Sequence, residues 1–293
     1  MTKQLISPHL WFDKEAQEAA DFYVAAFGQN SKVKNVSTIH DTPSGSADIV
    51  TFDILGQEFM AISAGPLFKF NPSISFHVKC KTKEEVDAIW ENLFPGGTVM
   101  MELGEYPFSK RYGWIQDKYG VSWQVIYAEE ELKQRITPVL MFTQDVCGRA
   151  EEAVNYYTSV FRDAKAQVFA RYSKGEEPDK EGTVKYAQFV LGGQEFGAMD
   201  SARTHDFKFN EAISLIVNCQ DQAKIDYFWE KLSAVPEAEQ CGWVKDKFGV
   251  SWQIIPANMG ELMSKNLEKT TPVMLKMKKI IIADLEKAGE ELN

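Results

Sequence analysis

The alternation of apolar and polar positions predicts short strands and three-turn helices in one repeating order. Pro8–Phe12 reads as a strand. Ala16, Ala19, Tyr23, Ala26 and Phe27 then recur at helical spacing, which predicts a helix over Glu15–Phe27. Val33–His40, Ile49–Leu55 and Gln57–Ser63 return to strand patterning. A second round opens with a strand at Ile74–Cys80. Thr82-x-x-Glu85 is a capping box ahead of a helix whose Val86, Ile89, Trp90 and Leu93 share one face. Strands at Thr98–Leu103, Tyr112–Gln116 and Val121–Tyr127 complete it, the last two joined by a tight Asp117-Lys-Tyr-Gly120 turn. Many strands with few helices on one face indicate an α+β protein with curved, antiparallel-rich sheets.

The whole pattern then repeats. Gly113-Trp114-x-x-Asp117-Lys118-x-Gly120-Val121-Ser122-Trp123-Gln124 returns as Gly242-Trp243-x-x-Asp246-Lys247-x-Gly249-Val250-Ser251-Trp252-Gln253. Phe68-Lys-Phe-Asn71 returns as Phe207-Lys-Phe-Asn210, and Gly56-Gln-Glu-Phe59 as Gly193-Gln-Glu-Phe196. The copies are therefore about 1–128 and 134–256, joined by the charged linker Glu129–Lys133. So long a period means two related domains rather than a solenoid. The remaining 257–293 has no partner. Thr271 and Pro272 suggest a helix start, and Met274, Met277, Ile281 and Leu285 a stripe. One amphipathic helix is expected there, docked over a core edge or offered to a partner.

At 293 residues with 44% apolar and 25% charged positions, the chain can bury two cores. Its net charge of −10 argues against nucleic acid as a partner. No run is long and apolar enough to span a membrane, and the first fifteen residues lack the apolar stretch of a secretory signal. Four cysteines without a CxxC pair suggest neither structural zinc nor a disulfide framework, and point to a cytoplasmic protein.

Pro8-His-Leu-Trp-Phe12, Glu18-Ala-Ala-Asp-Phe-Tyr23, Gly65-Pro66-x-Phe68-x-Phe70-Asn71 and the Gly-Trp-x-x-Asp-x-x-Gly-Val-Ser-Trp-Gln motif together carry a resemblance over roughly 1–256. They resemble PhnB-like proteins of the vicinal oxygen chelate (glyoxalase/bleomycin-resistance) superfamily, often labelled 3-demethylubiquinone-9 3-methyltransferase. The resemblance implies two tandem glyoxalase-like domains, each a pair of βαβββ modules forming curved, barrel-like sheets, plus the C-terminal helix. Function is less determined, because such folds host many activities.

Strand parity gives the cavity-facing residues. Leu10 and Phe12 should pack on helices, which leaves His9 and Trp11 facing the cavity. Likewise Phe76 and Val78 go inward to the helices, leaving Ser75 and His77. Trp123 leaves Gln124. By resemblance, Gln124 stands where a metal-binding glutamate would be, and the other ligand positions fall near Ser7, Ala61 and Ser73. With no carboxylate in that set, no divalent metal is expected. The glycine pairs Gly96-Gly97 and Gly192-Gly193 form no GxGxG turn to suit S-adenosylmethionine either, so no cofactor and no methyltransferase activity are expected. The expected ligand site is His9, Trp11, Asp53, Ser75, His77 and Gln124, with His9 and His77 facing one cavity of the first copy. The second copy offers Val139, Met141, Val190, Ile216 and Gln253. The expected function is binding of a small molecule by a monomer or homodimer. The alternative is an isomerase- or lyase-type enzyme using His9 and His77 as acid and base.

Overall fold

A computed structural model describes residues 4–28, 30–42, 45–129 and 132–290. Glu130 and Glu131 of the expected linker lie outside the described residues. The first copy contains β1 (Ile6–Phe12), α1 (Ala16–Phe27), β2 (Lys32–Thr42), β3 (Gly45–Ile54) and β4 (Gln57–Ser63). It continues with β5 (Ile74–Cys80), α2 (Lys83–Leu93), β6 (Thr98–Tyr106), β7 (Ser109–Gln116) and β8 (Ser122–Tyr127). The second copy contains β9 (Ile136–Phe142), α3 (Ala150–Val160), β10 (Lys165–Arg171), β11 (Val184–Leu191) and β12 (Gln194–Asp200). Then follow β13 (Ile213–Cys219), α4 (Gln222–Leu232), β14 (Trp243–Lys245) and β15 (Ser251–Pro256). Three short helices end the chain: α5 (Met259–Ser264), α6 (Leu267–Leu275) and α7 (Ile282–Glu290). Among the described residues no helix is long and apolar enough to cross a membrane.

Three of the four modules are βαβββ and the fourth, β13-α4-β14-β15, is one strand short; the sheets differ from the barrel-like form expected. One has seven strands in the order β14-β15-β13-β1-β4-β3-β2, the other eight in the order β10-β11-β12-β9-β5-β8-β7-β6. Both are open, with edge strands at either end. Each also combines half of one copy with half of the other. β1 pairs antiparallel with β13, and β5 with β9, so each sheet is joined at its centre by opening strands of modules from different copies. Sequence alternation fixes which face each residue takes, but not which strand lies alongside. We call the faces of the seven- and eight-stranded sheets that turn away from α1–α4 face A and face B.

Within each copy, helices and both half-sheets share an apolar core. Leu10, Phe12, Phe59, Phe76, Val78 and Trp123 all join it, as their alternation requires. Phe59 of one sheet meets Phe76 of the other edge to face at 5.1 Å. Burying such rings contributes roughly 2–3 kcal/mol each at about 25 cal/mol per Å².

The repeated motif is the bolt of this core. The Asp117 carboxylate is buried and accepts hydrogen bonds from Tyr23 Oη at 2.8 Å, Trp123 Nε1 at 2.8 Å and the Tyr119 and Val121 amides. Asp246 repeats the arrangement with Tyr157, Trp252, Phe248 and Val250. Burial pushes both carboxyl groups up, against the lowering effect of these donors. Gly113 is glycine for a steric reason: a Cβ there would lie 2.5 Å from the Trp90 ring. Asn71 Nδ2 donates to the Lys208 carbonyl, and Asn210 Nδ2 to the Lys69 carbonyl, a reciprocal pair that relates the two copies.

The expected single C-terminal helix is corrected to three. Pro272 lies inside α6 rather than at its start, and the chain leaves helix between Leu275 and Ile282. The extension nevertheless packs on the protein: Leu262, Met263, Ile280 and Leu285 cluster with Ile216 and Ile255 of face A.

Candidate functional site

The centre of face B is built from both copies. β5 supplies Ser75 and His77, β8 Gln124, β7 Tyr112, β9 Thr137 and β11 Tyr186. Ser75 and Ser122 stand side by side across β5 and β8, as do His77 and Gln124. The opposite neighbour of His77 is Thr137. This register gives a continuous network. Gln124 Oε1 accepts from Tyr112 Oη at 2.6 Å and lies 2.7 Å from His77 Nε2. Gln124 Nε2 donates to Ser75 Oγ at 2.7 Å.

An amide oxygen only accepts, so His77 Nε2 carries the proton and Nδ1 is the acceptor. That Nδ1 faces the Tyr186 hydroxyl at 3.4 Å, and the two rings stack 5.5 Å apart at 15°. Burial lowers the His77 pKa to about 4, so the ring is neutral at physiological pH. Gly197 gives Tyr186 its place, since a Cβ there would stand 3.1 Å from the tyrosine oxygen and 2.9 Å from Val139. Burial pushes the hydroxyls of Tyr112 and Tyr186 up as well. The Thr137 hydroxyl is buried with no partner. Beyond Tyr112, the hairpin between β6 and β7 carries Tyr106 and Phe108, whose rings lie 5.4 and 4.9 Å from it; Phe108 is 61% exposed.

Face A has a different centre. His9 lies beside Met60 on one side and Ser214 on the other. Its ring meets Trp243 at 5.5 Å, and Trp11 meets the same indole at 6.1 Å. His9 is 3% exposed, its Nδ1 has no partner, and burial lowers its pKa to about 3. Gln253 Nε2 donates to Ser214 Oγ at 2.9 Å, repeating the Gln124–Ser75 bond.

The shared cavity expected for His9 and His77 is therefore corrected. β1 and β5 belong to different sheets, so the acid–base pair cannot form. Ser75, His77 and Gln124 come together on face B, and His9 and Trp11 on face A. Asp53 joins neither centre. It lies opposite Glu58, two residues before Met60 on β4, with its carboxylate 3.4 Å from Lys34 Nζ. Asp200, the acid of the second copy, accepts amide hydrogens from Gly148, Ala150 and Val184 and so ties α3 to its sheet. Tyr112 and Tyr186 were missed. Tyr186 does alternate with Gln188 and Val190, but only the pairing of β5 with β9 brings its strand to His77.

The superfamily's divalent metal does not fit these donors. Gln124 Oε1 is already engaged by two donors, and what remains nearby is hydroxyls and a histidine directed at the same amide. Hard cations favour carboxylates, and transition metals favour imidazole or thiolate sets. Glu195 is held by Lys79 at 2.7 Å. Among the described residues no three His, Cys, Asp or Glu side chains form a group that could hold a metal ion. S-adenosylmethionine also lacks its usual cradle, a glycine-rich turn between strand and helix. Of the five strand-to-helix connections among the described residues, only that before α3 contains a glycine, Gly148, and its amide is taken by Asp200. A cleft of about 450 Å³ beside Arg149, Lys208 and Phe248 is lined by none of these central residues. Its cations are largely offset, Arg149 and Lys247 by Glu152, and Lys245 by Glu211.

Repeated βαβββ-like modules in two open mixed sheets, with a polar centre on the face turned away from α1–α4, define a glyoxalase-like protein. A glyoxalase I from Zea mays shares this fold at 11% identity, with 90% of this chain and 96% of that one covered and a TM-score of 0.57. The family model described as 3-demethylubiquinone-9 3-methyltransferase matches twice, over residues 4–126 and 134–255. The chain belongs to that family of PhnB-like proteins, within the vicinal oxygen chelate superfamily. A PhnB protein from Bacillus cereus bearing the same methyltransferase description is 39% identical over 43% of this chain and 100% of its own, with a TM-score of 0.40. No curated protein matches the chain.

Proposed function

We propose that the chain binds an uncharged, hydrogen-bonding small molecule on face B, using neither a divalent metal nor S-adenosylmethionine. The observation that carries this reading is the neutral Ser75–Gln124–His77 network. Its histidine is uncharged, and the nearest ion pair, Lys79 with Glu195, is self-compensated. A charged ligand would lose its hydration there without gaining a counter-ion, whereas a neutral one can meet the idle Thr137 hydroxyl and lie against Tyr186 and Phe108. One chain supplies both halves of each sheet, so the binding unit is a single chain. The net charge of −10 disfavours nucleic acid, and the cytoplasm suits the free thiols.

The test is titration with N-phenyl-1-naphthylamine, an uncharged aromatic amine that fluoresces in apolar surroundings. Gln124→Ala should weaken binding at face B at least tenfold, while Gln253→Ala leaves it unchanged. Equal effects would overturn the assignment. S-adenosylmethionine should leave the melting temperature unchanged; a saturable rise would also overturn it.

A further inference from the structure

The two copies differ most where β6 and β7 form their long ribbon. From Leu93 to Trp114 the first copy builds that ribbon; from Leu232 to Trp243 the second is ten residues shorter and keeps only β14. The C-terminal extension takes the missing place. Tyr112 of β7 pairs with Gly104 of β6. At the equivalent edge, the Cys241 and Gly242 amides donate to the Met277 and Lys278 carbonyls, at 2.8 and 2.7 Å. Behind this junction Ile280 and Leu285 are buried and pack with Ile216 and Ile255, and Met60 flanks them. Met60 is also the strand neighbour of His9, and Trp243, next to the junction, covers the His9 ring. The extension thus closes the end of face A where a buried imidazole nitrogen has no partner. Burying such a nitrogen unsatisfied is costly, and in the tautomer protonated on Nε2 it is an acceptor whose cost a hydrogen-bond donor would recover.

We propose that face A holds a second binding site, centred on His9, for an uncharged small molecule with an N–H or O–H donor, and that the C-terminal extension is its displaceable cover. The extension is held by a few backbone bonds, one apolar cluster and exposed polar contacts, Lys278 with Glu239, Lys279 with Asp226 and Gln240 with the Leu275 carbonyl, not by the sheet ladder. Gln222 adds a clasp, donating to the Ile280 carbonyl and accepting from the Ile282 amide. With the extension undocked, the donor of a ligand can reach His9 Nδ1 while its apolar body lies on Ile216, Ile255 and Trp243.

The test uses the full chain and N-phenyl-1-naphthylamine, whose N–H is such a donor. Combined Ile280→Asp and Leu285→Asp should undock the extension and add one probe site per chain relative to the wild type. Adding His9→Phe should remove that site, whereas adding His77→Phe should affect only the site on face B, so the two readings fail separately. Should the double variant not fold, Met277→Cys gives a second measurement. Oxidised onto Cys241, it locks the cover, and the weak additional binding step seen in its reduced form at high probe concentration should vanish. No additional site in the undocked variant, an additional site indifferent to His9→Phe, or identical titrations of the oxidised and reduced lock would overturn the proposal.

Discussion

Faces A and B are built on the same frame and have opposite contents. Each is crossed by a Gln–Ser hydrogen bond at the same register, and each copy's core is bolted by the same buried aspartate. Yet His77 has two hydrogen-bonding neighbours, while His9, at a different strand position and likewise against an aromatic ring, has an idle nitrogen. Face B keeps its long ribbon; face A has exchanged it for the C-terminal extension. The difference teaches that duplication preserved what holds the sheets together and released what the sheets present.

The sharpest test of the shared frame has the largest effect. Asp117→Ala and Asp246→Ala each strand a tyrosine hydroxyl, an indole N–H and two amides, and each should cost about 3–5 kcal/mol. Chemical denaturation would show it. A loss at only one of the two would break the equivalence of the copies.

Acid should act on both faces. The folded-state pKa values of His77 and His9 lie near 4 and 3, below the ordinary 6.5, so the unfolded chain binds more protons in that interval. Their contribution to stability is full above pH 6.5, falls as pH drops, and levels off below about 4 and 3 respectively. His77 can account for up to roughly 3 kcal/mol and His9 for up to roughly 5 kcal/mol. Urea denaturation at pH 7, 5.5 and 4 should show His77→Gln and His9→Gln each losing part of the slope. A slope unchanged in either variant would show that histidine to be solvated.

A smaller effect separates the faces. Gly197→Ala pushes against Tyr186 and Val139 and should weaken probe binding on face B severalfold, with a stability cost near 1–3 kcal/mol. Binding that is unaltered would remove Tyr186 from the site.

Most of the local structure was legible in the sequence. Alternation placed Leu10, Phe76 and Trp123 in the core and turned His9, His77 and Gln124 to the other side, because strand period and burial follow from the same pleat. Half of the capping box at Thr82 is realised, its hydroxyl accepting from the Glu85 amide at 3.1 Å, while the Glu85 carboxylate accepts from the Lys81 amide instead of that of Thr82. The partnership of strands was not legible. Ile6 and Val217 pair across the chain by backbone bonds and apolar contacts that any β-branched strand could make, and nothing in either segment names the other. Hence His9 and His77 were assigned to one cavity, and Tyr186 to none. Pro272 misled for a local reason: it sits in a helix of nine residues whose preceding turn resembles a start.

The pairing of β1 with β13 also sets a clock on biosynthesis. At roughly 5–20 residues per second, the ribosome needs on the order of 10–40 s between completing the first strand and delivering its neighbour. Through that interval β1 is an unpaired sheet edge, able to take the matching strand of another nascent chain and give exchanged dimers. High contact order of this kind slows folding and makes the yield of monomer depend on how crowded the polysome is.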